Sequence, residues 1–412
     1  MDRIDVAFRG AGAGTAELTW GQRAMYQAML RERSWLPMGG RRPVPPGTTV
    51  ADVAEELRYT MGRYQSFRTR LRFRPGAPPA QEVADHGTAR LDVVEAGAED
   101  PEAIAAAVER GYRAAEPDLE AEWPMRMAVV CRDGTPSRLV AVIPHLVTDG
   151  IGAAVMVDEV TRRVAEPVAG LQPLDLVAWQ HSPAGQRQHA AALRHWERHG
   201  GVPDLSSGVA PPEGGHGRYR RGLFSSPALA QALPLVSARV GADPATVLLA
   251  AYMIALGRVT ASATVAVRVV VSNRFRAGLS DVVSPITQLG LCVADVSGGF
   301  GTAVAAVGRA SLAAQKYAYY DPFAVDGTAR TACFNDRRTV RQSVAGATGR
   351  TGEFRWTDPP VGPTEPLFVH VDDAPGALLL TVDVDTAALS AGDAEACARD
   401  IEAAVVGAAQ RT

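Results

Sequence analysis

Residues 141–160 read AVIPHLVTDGIGAAVMVDEV, and two different periodicities meet inside that stretch. The run RLVAVIPHLV (138–147) is apolar and rich in β-branched residues, which predicts a buried strand. Pro144 removes one ladder donor, so a bulge or strand end is expected there. Beyond Gly150 the pattern turns helical: Ala154, Val157, Val160 and Val164 make one face, and Asp158, Glu159, Arg162 and Arg163 the other. His145 and Asp149 fall at the changeover. An imidazole at an element end can face a cavity while its backbone stays held. With an ordinary pKa near ~6.5, a neutral histidine can accept a proton from an attacking amine or hydroxyl at neutral pH. Asp149 can orient that ring or pair with a distant arginine. The same residues also describe a core histidine beside an Asp helix cap.

Composition narrows the classes outside this stretch. At ~150 residues per domain, 412 residues allow two or three domains with ample core. A formal net charge of -3 argues against broad nucleic-acid binding, which needs a concentrated basic surface. The densest apolar run, ATVLLAAYMIAL from Ala245, is shorter than the ~20 residues of a bilayer span. The opening MDRIDVAFRGAGAG lacks a signal-like apolar stretch, so a cytoplasmic chain without membrane contact is expected. Cys131, Cys292, Cys333 and Cys397 are scattered without CxxC pairing and read as buried small hydrophobes. Lys316 is the sole lysine and there is no GxxxxGK[ST], which removes a P-loop enzyme. The glycines of RGAGAG miss the dinucleotide-loop spacing and read as a flexible connection.

The remaining pattern is mixed α and β. One helix begins after Thr19 and carries Trp20, Met25, Tyr26 and Met29; another carries Val50, Val53, Leu57 and Met61. Residues 165–175 read as a linker and 202–218 as an exposed loop. Asp243 and Pro244 open an apolar helix. TVAVRVVVSNR, FRWTD and ALLLTVDVDT read as strands, and a closing helix starts near Ala391.

Several segments resemble, in order, those of condensation domains from nonribosomal peptide synthetases. PHLVTDG is similar to their HHxxxDG motif, and LTWGQRAMY (18–26) to the first-helix motif. RYQSFRTRL (63–71) resembles RHExLRTxF at Arg63, Arg68 and Thr69. LDLVAWQ (174–180) with LRHW (193–196) resembles the DYAxWQ and YW pair. YYDPF (319–323) is similar to QDxPFE, and FNDRR lies where a tunnel-lining asparagine often stands.

The resemblance implies an α/β fold of mixed sheets. Two chloramphenicol-acetyltransferase-like halves, residues 1–170 and 171–412, would form a pseudo-dimer around a tunnel. It implies transfer of an acyl or peptidyl group from a carrier-protein thioester to an amine or hydroxyl. The protein itself would hold no metal or cofactor, since phosphopantetheine arrives on the acyl or peptidyl carrier protein. A monomer is expected. By carry-over His145 is the base or nucleophile-positioning group, and Asp149 pairs with an arginine of the second half, for which Arg274 is best placed. Gly150 would offer its N–H to the oxyanion, Gly152 would leave room for the pantetheine-linked acyl group, and Asn335 would line the tunnel or cap a turn. Arg63 would be structural.

Departures accompany these matches. Pro144 replaces the first motif histidine, Tyr64 and Gln65 replace His and Glu of RHExLRT, and SPITQLGLCV only faintly echoes VGxFVNT. Such drift fits a free-standing member with an unusual substrate, and equally a silent one that recruits a carrier protein or tailoring enzyme. Heterocyclising members carry Asp where His145 stands. EGGHGR (213–218) lies before the long central helix rather than after it, and so reads as a coincidence with the epimerisation motif. His195 and His199 read as a solvated helix face rather than a metal site, and Trp179 and Trp196 as packing between helices.

Overall fold

The computed structural model describes residues 2–199, 205, 217–325, 331–338, 352–360 and 362–410. Its contacts divide the chain into one unit of residues 1–30, 34–186 and 274–286, and a second of 31–33, 187–273 and 287–412. Residues 171–186, expected in the second half, thus stay with the first unit, and 274–286 return to it.

The first unit runs β1 (Asp2–Arg9), β2 (Gly14–Glu17), α1 (Trp20–Glu32), β3 (Pro37–Pro43), α2 (Val50–Arg63), β4 (Thr69–Arg74), β5 (Ala77–Val83), β6 (His86–Glu95), α3 (Pro101–Ala114), β7 (Arg126–Arg132), β8 (Thr135–Pro144), α4 (Gly150–Arg162) and α5 (Pro173–His181). Five strands form a sheet in the order β1-β6-β7-β8-β3, antiparallel except for β6 beside β7. A smaller sheet joins β2, β5 and β4, so the glycine stretch expected to be a flexible connection in fact leads straight into a strand. Because side chains alternate along a strand, β7 serves two cores. Met127, Val129 and Cys131 meet Val53, Leu57 and Met61 of α2, whereas Ala128 and Val130 join a cluster with Trp35 and Ala105 of α3.

Local signals were followed closely. Thr19 and Gln22 cap the start of α1 reciprocally, at 3.1 and 2.8 Å, and Thr49 and Asp52 form a capping box at α2. The face expected of α4 is not the one it buries. Val160 is buried, but Ala154 and Val157 are exposed, Val157 by 53%, and Val155 and Met156 do the packing instead. Glu159, assigned to the outer face, is drawn inward by Arg63 and Tyr64.

In the second unit the described elements are α6 (Pro183–Arg198), whose first residues belong to the other unit, β9 (Tyr219–Ser226), α7 (Pro227–Val240), α8 (Pro244–Val259), β10 (Thr264–Val271), β11 (Gln288–Asp295), α9 (Phe300–Lys316), β12 (Ala332–Asp336), β13 (Glu353–Thr357), β14 (Leu367–Ala374), β15 (Ala377–Asp385) and α10 (Ala391–Gln410). The strands make one mixed seven-stranded sheet, β11-β10-β12-β14-β15-β9-β13. Helices α7, α8 and α10 bury Leu233, Val247, Tyr252, Met253, Ile401 and Val405 in one cluster with Phe334, Val369 and Val382 of the sheet. Asp243 caps α8 as expected, its Oδ1 accepting from the Thr246 amide at 2.9 Å. All four cysteines are buried and unpaired. No single helix among the described residues is long and apolar enough to cross a membrane. Of the loop 202–218, only 205, 217 and 218 are described, so the loop reading and most of EGGHGR lie outside the described residues.

Arg68 is fully buried in the first unit, donating to the carbonyls of Gly12 at 2.7 Å, Ala84 and Ala11. Arg68→Leu strands those carbonyls and is expected to lower unfolding free energy by about 3 kcal/mol or more, read from urea melts.

Candidate active site

His145 sits in a turn rather than in the strand. Pro144 ends β8 opposite Pro37, and the turn closes through the Val147 amide donating to the Pro144 carbonyl at 3.0 Å. Pro144 has no N–H to continue the ladder, which is why the strand stops there. The amide of His145 is tied to the Leu36 carbonyl at 3.0 Å, and Leu146 and Val147 anchor the turn in two separate cores. The imidazole is half-buried. Its Nδ1 is buried and makes no hydrogen bond among the described residues. Burial pushes the His145 pKa below its ordinary 6.5, against the opposing pull of its own backbone, the Asp149 charge and the Thr148 backbone. The ring is therefore neutral at pH 7 and able to accept a proton.

Asp149 carries out the cap and the ion pair together. Its Oδ1 accepts from the Gly152 amide at 2.9 Å, capping α4, and also takes Arg274 Nη2. Its Oδ2 accepts from the Ile286 amide at 3.1 Å. Burial would raise the Asp149 pKa, but Arg274 and the two amides overcome it and hold the carboxyl below its usual range. Arg274 reaches back within its own segment to the Val282 carbonyl at 2.7 Å. The pair foreseen between Asp149 and Arg274 is present, but Arg274 belongs to the segment that rejoins the first unit.

Gly152 has a different reason for being glycine than the one expected. A Cβ there would meet Thr148 Oγ1, the Val283 carbonyl at 2.6 Å and Arg274 Nη2 at 3.0 Å. The space is filled by the returning segment, so packing alone requires glycine here. Gly150 opens α4 directly after the cap, which uses the amides of Gly152 and Ala153 instead of its own.

Arg63 donates to Glu159 at 2.7 Å and to the Glu166 carbonyl at 2.7 Å, bracing α2 against α4. Tyr64, one of the motif departures, donates to the same Glu159 carboxylate. Gln65 accepts from the Leu174 amide at 3.2 Å and its own amide donates to Gln172. Tyr64 and Gln65 thus both make structural contacts within the first unit. The contribution of Ile286 escaped the sequence reading, and its only signal was the faint SPITQLGLCV echo.

A family model for the condensation domain matches residues 44–322, more than half of the chain. The chain belongs to the condensation-domain family. Solved condensation-type structures share its fold. A structure concerning condensation-domain-mediated chain release from the enacyloxin polyketide synthase matches 96% of this chain and 83% of its own, at 20% identity and a TM-score of 0.75. SgcC5 from Streptomyces globisporus matches 96% and 99%, at 16% identity and 0.70. An X-domain in complex with OxyB, from teicoplanin biosynthesis, matches 98% and 95%, at 16% identity and 0.72. No curated protein matches by sequence.

In this condensation domain the first unit brings together His145, Asp149, Gly150, Gly152 and Arg274. Asn335 lies in β12 of the second unit, 3.4 Å from His370 Nδ1. His195 is buried, which corrects the expected solvated face. Trp179 packs edge-on to Trp20 of α1, and Trp196 packs against Tyr320. No group of three or more metal-ligating side chains occurs among the described residues.

Removing either member of the Asp149 and Arg274 pair leaves a buried partner exposed to desolvation cost, on the order of 3–5 kcal/mol. Asp149→Asn is expected to lower the melting temperature more than His145→Ala does; an equal or smaller loss in thermal melts would return Asp149 to a role on the imidazole. Gly152→Ala should also destabilise, because its Cβ meets backbone that cannot rotate away.

Proposed function

We propose that this chain transfers an acyl or peptidyl group from a carrier-protein thioester to an amine or hydroxyl, forming an amide or ester in secondary-metabolite biosynthesis. The observation that carries the reading is the half-buried His145 ring in the turn that follows β8, its pKa lowered by burial, in a chain of the condensation-domain family. The drift of its motifs is the reason to read it as acting on carrier proteins in trans.

The steps follow from the residues. The nucleophile's nitrogen or oxygen attacks the thioester carbonyl while its proton passes to Nε2 of His145. The developing oxyanion is placed near the start of α4, where the Gly150 N–H and the positive end of the helix dipole favour negative charge. Collapse of that intermediate breaks the carbon–sulfur bond, and the pantetheine sulfur takes the proton back from the imidazolium. Asp149 does not touch the reacting atoms and acts by fixing the helix start and the returning segment.

A second reading has its own support. Pro144 stands in place of the first motif histidine, and a fold neighbour is an X-domain in complex with OxyB. Under that reading the chain binds a partner and transfers nothing.

Incubation with acyl-loaded carrier proteins and an amine or hydroxyl acceptor, followed by intact-mass analysis, separates the two. Acyl loss from the carrier with matching gain on the acceptor is expected, and His145→Ala should cut the rate by ~10²–10⁴-fold while the protein still folds. Near wild-type transfer by the variant would remove His145 from the chemistry. Because His145 titrates below 6.5, kcat/KM should be flat through neutrality and fall only as pH drops through that lowered value. An acid limb centred above it would point to another base.

A further inference from the structure

The end of α6 carries two imidazoles that acyl transfer leaves unused. His195 and His199 are one helical turn apart, and the turn is tightened by the His199 amide donating to the Trp196 carbonyl at 3.0 Å. Their ring centroids are 5.0 Å apart and the planes meet at 71°. Both line a cavity of ≈ 330 Å³ whose other walls are Val293, Ala294, Ala306, Arg309, Ala310 and Ala313.

Two contacts hold the His195 ring. Its Nε2 lies 2.9 Å from the Leu291 carbonyl, which can only accept, so Nε2 carries the proton and Nδ1 carries the lone pair. The ring is held from its face as well, stacked on Tyr317 at 5.0 Å. A backbone carbonyl on the far nitrogen is the arrangement that orients a metal-binding imidazole. Such a ring is a poor host for an anion, because it presents a lone pair and no donor. The 5.0 Å spacing keeps both rings within reach of one ion bound through ~2.1 Å bonds.

We propose that His195 and His199 bind a divalent transition-metal ion of the kind imidazole prefers, zinc or nickel. Two protein ligands leave open positions for water or an anion, and Arg309 lines the same cavity with a charge suited to the anion. The ion would clamp the end of α6.

The probe is NiCl2, and separately ZnCl2, titrated calorimetrically into the untagged full chain. One equivalent is expected to bind the wild type. Loss of an outer partner alone costs about 10–100-fold in metal affinity, so His199→Ala, which removes a ligand, should weaken binding by at least that much. His86→Ala, at an exposed histidine beside Asp85, should leave affinity unchanged. Nickel should also raise the melting temperature of the wild type but not of His199→Ala; His199→Gln repeats the comparison if the alanine variant folds poorly. No binding to the wild type, or equal binding by the His199 variants, overturns the proposal.

Discussion

One carboxylate determines how the candidate site is assembled. Asp149 is buried, and each of its oxygens is committed: one to the helix it caps and to an arginine, the other to a backbone amide of the returning segment. A buried carboxylate is tolerable only when its charge and lone pairs are met, and here a helix start and a cation meet them together. His145 profits indirectly. The turn before Asp149 and the helix after it are both pinned, so the ring between them cannot drift.

Three positions differ from the motifs that the chain resembles. Pro144 replaces a histidine without loss of structure, because the position ends a strand where a ladder donor is dispensable. Tyr64 and Gln65 stand where the motif has a histidine and a glutamate; one holds Glu159 and the other ties the segment after Gly170 to the end of α2.

Much of this was legible from the residues alone. Period-2 and helical patterns located the strands and helices, and Thr19 and Asp243 marked two helix starts because caps are local chemistry. The strand end at Pro144 and the pairing of Asp149 with Arg274 were also legible, the second only through the family resemblance. What was not legible depended on partners far along the chain. Hydrophobicity put Ala154 and Val157 on the buried face of α4, but Arg63 and Tyr64 draw Glu159 inward. Gly152 read as space for a substrate until Val283 was seen to fill it. His195 read as solvated because nothing in its neighbourhood of sequence announces Tyr317 and Leu291.

The return of residues 274–286 to the first unit carries a consequence for how the chain acquires its structure. Arg274 and Asp149 are 125 positions apart, and nearly the whole of the intervening α6–β10 region belongs to the second unit. Until the returning segment has been made, Asp149 lacks both the cation and the Ile286 amide that meet its charge. Its final stability must wait until β10 has been synthesised and the chain has turned back. The two units are thus separable as clusters of contacts but not in time, and high contact order is built into the very pair that orders the active-site turn.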